Sequence, residues 1–405
     1  MAVAPVVGLE IGTSKIVALV GELRDDGGVM ITGMGERPST GVRKGEIVDA
    51  SAVEECIREA IVQAETMADV EIRSVYLGVT GSHIRGFTNH GVHPVVSADR
   101  EITQDDVDDV VKNAKSVNLP AENSILHAIR QHFIVDGQLG VTNPVGMLGA
   151  RLEVDVHVVH GNTNRIQNAV RAVKALQLDV DAVVFNGLAA SLAVLTDEQK
   201  ETGTLVIDLG GGTTNYVVCA EGIIKHTGTI AVGGDHVSND LAFGLKVPLG
   251  RAESLKIELG TAVVDPASHG REVSFKPSAS GFERLLNIEQ LQMIMAVRLE
   301  ETFELIADDI DQAGLLNYLG GGVVLCGGGA RTPRIAELAT DIFGVPVSLG
   351  RTNCINGIKA ALDHPEFATA IGLTRFGSLQ QRKPRTASPL AETFKSTITG
   401  LFRRG

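Results

Sequence analysis

Little in this sequence is aromatic, and nothing in it stays apolar for long. Phe, Trp and Tyr make up 4% of its 405 residues. No run reaches the roughly 18 apolar residues that a bilayer-crossing helix needs. The opening Met-Ala-Val-Ala-Pro-Val-Val-Gly has neither the basic segment nor the long apolar core of a signal peptide, so none is expected. Cys56, Cys219, Cys326 and Cys354 are scattered and form no CxxC pair, which argues against a disulfide framework or a zinc knuckle and for a reducing cytoplasm. Positive charge is short as well. Lys and Arg number 36 against 49 Asp and Glu, a formal charge of -13, and no nucleic-acid partner is expected, because displacing counterions from phosphates needs a basic field.

What is abundant is glycine, 46 residues, in a chain that is 44% hydrophobic. That combination and length point to an α/β protein of two or more domains with many tight turns. Two segments share a plan. VVGLEIGTSKIVALVGE and TLVIDLGGGTTNYVVCAEG each read as an apolar strand, an acid, a small-residue turn and a second strand, followed by a third strand and then helix. Halves about 200 residues apart with one plan indicate an internal duplication, hence two lobes with a cleft between them. The first helix, SAVEECIREAIVQAE, reads as opened by Ser51 with Glu54 at capping-box spacing. The expected division is 1–82 with 163–202 as the first lobe, 83–162 as an inserted subdomain, and 203–233 with 318–377 as the second lobe, its end possibly returning to the first. Residues 234–317 form a subdomain of the second lobe, 378–389 a linker, and 390–405 a terminal helix.

Tight glycine turns let backbone N–H groups converge on an anion. Asp208 leads Gly210, Gly211, Gly212 and Thr213, and a carboxylate beside phosphates calls for a cation, Mg2+ held mostly through water. The first turn, Glu10 then Gly12, Thr13, Ser14 and Lys15, offers N–H groups, hydroxyls and an ammonium from the opposite lobe. Gly327, Gly328 and Gly329 with Arg331 form a flat strand-end surface suited to a nucleoside, beside Glu253 and Lys256 of RAESLKIELG. A lone GGG is more often a plain hairpin, but three glycine turns after apolar strands, two of them acid-led, make a pattern. No GxxxxGK[ST] and no helix-opening GxGxxG occur, so P-loop and Rossmann readings fail. His90/His93 and His157/His160 have ligand-like spacing without cysteine or acidic companions in sequence, and are expected to be ordinary histidines.

These hairpins, the CGGGA turn and the AESLK helix resemble the actin, Hsp70 and sugar-kinase superfamily. GLEIGTSKIVALVGE, SVYLGVTGSHI, NPVGMLGARLEVDVH, FNGLAASLAVLT and DLGGGTTN are similar to segments of its FtsA family, over essentially the whole chain. The resemblance implies an actin-like duplicated fold with an inserted 1C-type subdomain and a cleft for ATP and Mg2+, with Gly12 to Lys15 and Gly210 to Thr213 on the phosphates. It also implies filaments of the protein itself, contacts of the inserted subdomain with other division proteins, and binding of the FtsZ C-terminal peptide around Glu283 to Glu304, where Arg298 matches a contact position. Two departures bear on chemistry. Glu10 stands where many superfamily members place Asp, and Asn215 where they place a second Asp, so hydrolysis is expected to be slow at best. A sugar kinase would need a catalytic aspartate by a sugar pocket, an Hsp70 a β-rich substrate domain, and the pilus-assembly relative PilM lacks an amphipathic tail.

That tail, PLAETFKSTITGLFRRG, closes an acidic chain with basic charge. As a helix it aligns Leu390, Phe394, Ile398, Leu401 and Phe402 in one stripe flanked by Lys395, Arg403 and Arg404, the pattern of an interfacial helix on anionic inner-membrane lipid, with docking on the core as the alternative. Burying each apolar side chain contributes roughly 1.5–3 kcal/mol and each basic residue about 1 kcal/mol. Ordering the segment, at about 1 kcal/mol or more per residue, cancels most of that. One tail binds weakly, and many on a filament bind firmly.

Overall fold

The computed structural model describes residues 5–24, 28–97, 99–276, 283–352, 355–357 as backbone, and 362–382. The expected membrane helix at 390–405, and Cys354, lie outside the described residues. Among the described residues no helix is long and apolar enough to cross a membrane.

Two sheets repeat one strand order. In the first, Val6–Ile11, Lys15–Leu23 and Val29–Pro38 form an antiparallel meander, and Ser74–Val79 then Asp179–Phe185 join in parallel beside Val6–Ile11. In the second, Thr204–Leu209, Thr214–Ala220 and Ile223–Ile230 form the meander, and Val323–Cys326 then Val347–Leu349 join in parallel beside Thr204–Leu209. The central strands are apolar runs covered on both faces, as parallel neighbours require. Ile355–Gly357 pairs with Val29 to Ile31 and returns the chain to the first sheet.

Two helices fill the space between the sheets. Asn186–Val194, buried at every residue, packs on strands of both, and Ala368–Gln381 lies against it and against Val6–Ile11. Their crossing is close because Gly372 has no side chain: a Cβ there would stand 1.8 Å from the Ala189 carbonyl oxygen. Leu188, Leu192, Ile371, Leu373 and Phe376 are buried around the crossing, each worth roughly 1.5–3 kcal/mol of apolar transfer.

The inserted segment forms its own antiparallel sheet, ordered Arg85–Pro94, Arg151–Asn162, Asn123–Val135, Gln138–Val141. The helix Gln104–Lys115 covers it, opened by a Thr103/Asp106 capping box and buried through Val110 and Ala114. A third unit carries the helices Gly234–Leu245, Leu249–Leu259 and Ile288–Gln312.

Two local expectations need correction. The helix over Ser51 starts earlier, as Ala50–Ala68, and its cap is Asp49, extended at φ -139°, whose Oδ1 accepts the Ala52 N–H at 3.2 Å. The first residues of the linker expected at 378–389 are helical, and 383–389 lie outside the described residues. Ala368–Gln381 continues through Gly377 and Ser378, both buried, because Gly377 lets the helix lie on Tyr76 and Val6.

Candidate functional site

Both meanders turn on the same hydrogen bond. The Gly12 N–H donates to the Lys15 carbonyl and the Gly210 N–H to the Thr213 carbonyl, each at 3.0 Å. The tips of these hairpins meet. A Cβ on Gly211 would stand 3.2 Å from Cβ of Ser14, and one on Gly212 would stand 2.6 Å from Thr13 Oγ1 and 2.8 Å from Cα of Lys44. Thr13 Oγ1 also accepts the Gly45 N–H at 3.0 Å, which ties the first hairpin to the loop beneath it.

The leading acids lie side by side beneath the hairpins. Asp208 is 7% exposed, and its Oδ2 accepts the Asn215 amide at 3.1 Å and the Thr369 hydroxyl at 3.3 Å. Burial raises its pKa. Glu10 is pushed up to about 8, first by desolvation and then by the charge of Asp208. Its Oε2 is enclosed and has no hydrogen-bond partner among the described residues. Asn215 is fully engaged: its Oδ1 accepts the hydroxyls of Thr80 at 2.6 Å and Thr229 at 3.1 Å. Among the described residues no three His, Cys, Asp or Glu side chains are grouped to hold a metal ion.

The helix Gly234–Leu245 abuts the second hairpin, its Gly234 and Asp235 N–H groups donating to the Gly210 and Gly211 carbonyls at 3.0 and 2.8 Å. Lys256 donates to the Gly234 carbonyl at 3.2 Å and pairs with Glu253 at 2.7 Å, while Glu253 also takes the Ser238 hydroxyl. The helix N-terminus and the ammonium add positive potential on this side. Gly327, at φ +82°, lies against the end of Thr204–Leu209, where a Cβ would stand 2.6 Å from Asp208 Oδ1. Gly329 packs on Leu209, and Gly328 has open space where a Cβ would be.

Three expected site residues take other partners. Lys15 pairs with Glu36 at 3.1 Å and sits 3.7 Å over the Phe367 ring. Arg331 pairs with Glu366 at 2.7 Å. Arg298 grips Asp240 with two nitrogens, at 2.5 and 3.2 Å, and also bonds Glu301. His90 has acidic companions after all, Glu153 and Asp155 at 2.8 Å from the next strand, while His157 and His160 bond Thr88 and Asn123. The strand register brings those acids beside His90, from more than sixty positions away.

Sequence reasoning missed Thr80 and Asn186. Both stand directly after parallel strands of the first sheet, at the carboxyl ends where open α/β sheets place their ligands. Asn186 is 3% exposed, its Oδ1 has no partner among the described residues, and a Cβ on Gly78 would lie 2.6 Å from it. Polar residues ending the strands in SVYLGVTG and DVDAVVFNG were the available signal.

Residues 81–160 match the family model described as the SHS2 domain inserted in FTSA, and residues 205–372 match that described as cell division protein FtsA. The chain is 36% identical to cell division protein FtsA of Pseudomonas aeruginosa over 96% of its own length and 93% of that protein. It is 38% identical to the protein of the same name from Escherichia coli K12 over 92% of this chain and 90% of that one. Among solved structures it is similar to the PilM-PilN type IV pilus biogenesis complex, with TM-score 0.64, 16% identity and coverage of 92% and 98%. It is also similar to MreB5 of Spiroplasma citri bound to ADP, with TM-score 0.58, 15% identity and coverage of 96% and 100%.

Proposed function

The chain belongs to the FtsA family of actin-like cell-division proteins, and from that premise we propose that it binds ATP and Mg2+ in its cleft, forms filaments at the cytoplasmic face of the membrane at the division site, and tethers FtsZ filaments there through residues 390–405. The observation that carries the nucleotide reading is the pair of tip-to-tip glycine hairpins closed by equivalent 3.0 Å bonds. Their backbones, Gly12 to Ser14 and Gly210 to Thr213, would hold phosphates, and Lys256 with Glu253 and the open Gly328 would flank the nucleoside. The cation fits the acids present: two buried carboxylates whose charges oppose one another, one with an orphaned oxygen, are relieved by a divalent ion. Direct protein ligation would be confined to Glu10 and Asp208, with water completing the shell. Bound ATP with its cation would supply negative charge that draws both hairpins together.

The chain's own groups favour holding the nucleotide over cleaving it. Asn215 cannot take a proton, and both ends of its amide are committed. Asp208 accepts both of its hydrogen bonds at Oδ2, and a cation held at its other oxygen would draw its negative charge away from the work of a general base. Slow hydrolysis suits an assembly ligand that stabilises the closed cleft by its differential affinity for it.

For FtsZ, the face of Ile288–Gln312 around Arg298 exposes Met293 and Val297, an apolar shelf for the peptide's apolar side chains, while an acid of the peptide would have to share the Arg298 guanidinium with Asp240 and Glu301. Calorimetric titration of the full chain with MgATP, followed by pull-down with the FtsZ C-terminal peptide, tests the proposal. No heat of binding removes the nucleotide part, and no retention of the peptide removes the tether.

A further inference from the structure

The inserted sheet is bonded to both lobes through buried polar contacts. On the first lobe, His127 Nε2, in a side chain 1% exposed, accepts the Phe185 N–H at 2.9 Å. Phe185 ends its strand and is the N-cap of Asn186–Val194, which has no capping side chain of its own. The histidine therefore fixes where that buried inter-lobe helix begins, and with it the place of Asn186. On the second lobe, Gln131 donates to the Ile224 carbonyl at 3.0 Å, and His157 Nε2 lies 2.9 Å from Thr227 Oγ1. Both contacts fall on one element, Ile223–Ile230, the edge strand of the second sheet.

The three side chains act from one surface. His127 and Gln131 are four positions apart on Asn123–Val135 and so share a face, and His157 stands opposite Ile129 on the adjoining strand. The contact has no slack: a Cβ on Gly86 would lie 2.2 Å from Thr227 Oγ1 and 2.9 Å from His157 Nε2. Directional bonds in a dry interface are kept or broken, not stretched, because an unpaired buried polar group is costly. Lobes that change their separation therefore load these bonds.

We propose that the inserted subdomain is a strut reading the cleft, with His127 as a positioning residue for the site and with Gln131 and His157 as the sensors of the second lobe. Nucleotide that closes the cleft alters the strut, and a ligand gripping the subdomain alters nucleotide affinity by the same factor. This rests on the cleft being an ATP site.

Hydrogen exchange of the full chain with and without MgATP tests it. Amides of Asn123–Val135 and Arg151–Asn162 should change their exchange rate by about tenfold on adding MgATP. In a Gln131→Met, Thr227→Val double variant the change should vanish, while calorimetry still finds ATP bound within roughly threefold of the unaltered chain. His127→Gln, which keeps an acceptor, should retain the response, and His127→Leu should lose it. An unaltered chain that binds ATP while its inserted sheet exchanges as before overturns the strut and leaves the ATP reading standing. Absence of ATP binding overturns both. If the double variant does not fold, Thr227→Val alone, a hydroxyl exchanged for a methyl, carries the same comparison, and a full response in it overturns the sensor role.

Discussion

Thr80 donates its hydroxyl to Asn215 Oδ1 at 2.6 Å, joining the end of a first-lobe strand to the second lobe's hairpin across 135 positions of sequence. Both residues are buried, so the bond has no water to replace it. Thr80→Val keeps the shape, removes the donor and leaves Asn215 Oδ1 with Thr229 alone. Unfolding in urea should show a loss of about 1–3 kcal/mol with an unchanged slope. An unaltered midpoint would mean that the two lobes are not joined here in solution.

Gly212 and Gly328 separate folding from ligand binding. Gly212→Ala would press a methyl to 2.6 Å from Thr13 Oγ1 and onto the Lys44 backbone, wedging the hairpin tips apart. Both the thermal midpoint and ATP affinity should fall, the affinity by at least about tenfold, or ~1.4 kcal/mol. Gly328→Ala meets no atom within 4 Å, so stability should stay within about 0.5 kcal/mol while ATP affinity drops. Equal affinities for Gly328→Ala and the unaltered chain would remove the glycine turn from the nucleoside surface.

Acid should weaken the strut before it weakens the lobes. Burial holds the pKa of His127 down to about 3, and burial, then the charge of His226, does the same for His157. The unfolded chain protonates both near pH 6.5 while the folded chain stays neutral, so the unfolded state binds more protons between about pH 6.5 and 3. Stability is thus present above pH 6.5 and falls as pH drops below it, by up to about 1.4 kcal/mol per pH unit for each histidine. Urea midpoints at pH 7, 6 and 5 measure this, and His157→Gln should flatten the slope by the share of one histidine.

The duplication was legible because its signal is local: an apolar strand, an acid and a glycine hairpin lie within a dozen residues and occur twice. Glycine turns announce themselves for the same reason, since Gly12 and Gly210 each answer to a carbonyl three positions away. What could not be read depends on distant partners. Asn215 looks like a weakened catalytic acid until Thr80 and Thr229 are seen to occupy it, and Lys15 and Arg331 look free until Glu36 and Glu366 reach them. The end of Ala368–Gln381 escapes periodicity because packing on Tyr76 carries the helix past Gly377. The cap at Asp49 was missed because Ser51 offered the more familiar spacing to Glu54.

Membrane attachment through residues 390–405 should depend on assembly more than on the tail's own affinity. If the segment forms a helix on the membrane, the side chains of Leu390, Phe394, Ile398, Leu401 and Phe402 and the charges of Lys395, Arg403 and Arg404 would contribute about as much as ordering it costs, so a single copy should bind anionic vesicles weakly. Filaments of the kind proposed would display many tails at once, and each bound copy would raise the local concentration for the next. Sedimentation with phosphatidylglycerol vesicles should therefore rise steeply with protein concentration, weaken as salt screens the basic residues, and disappear when 389–405 are removed. Phe394→Glu, which places a charge in the stripe, should act like the deletion while leaving ATP binding intact. A shallow, one-to-one binding curve that survives dilution would show that the tail holds the membrane alone, and the coupling of assembly to attachment would fall with it.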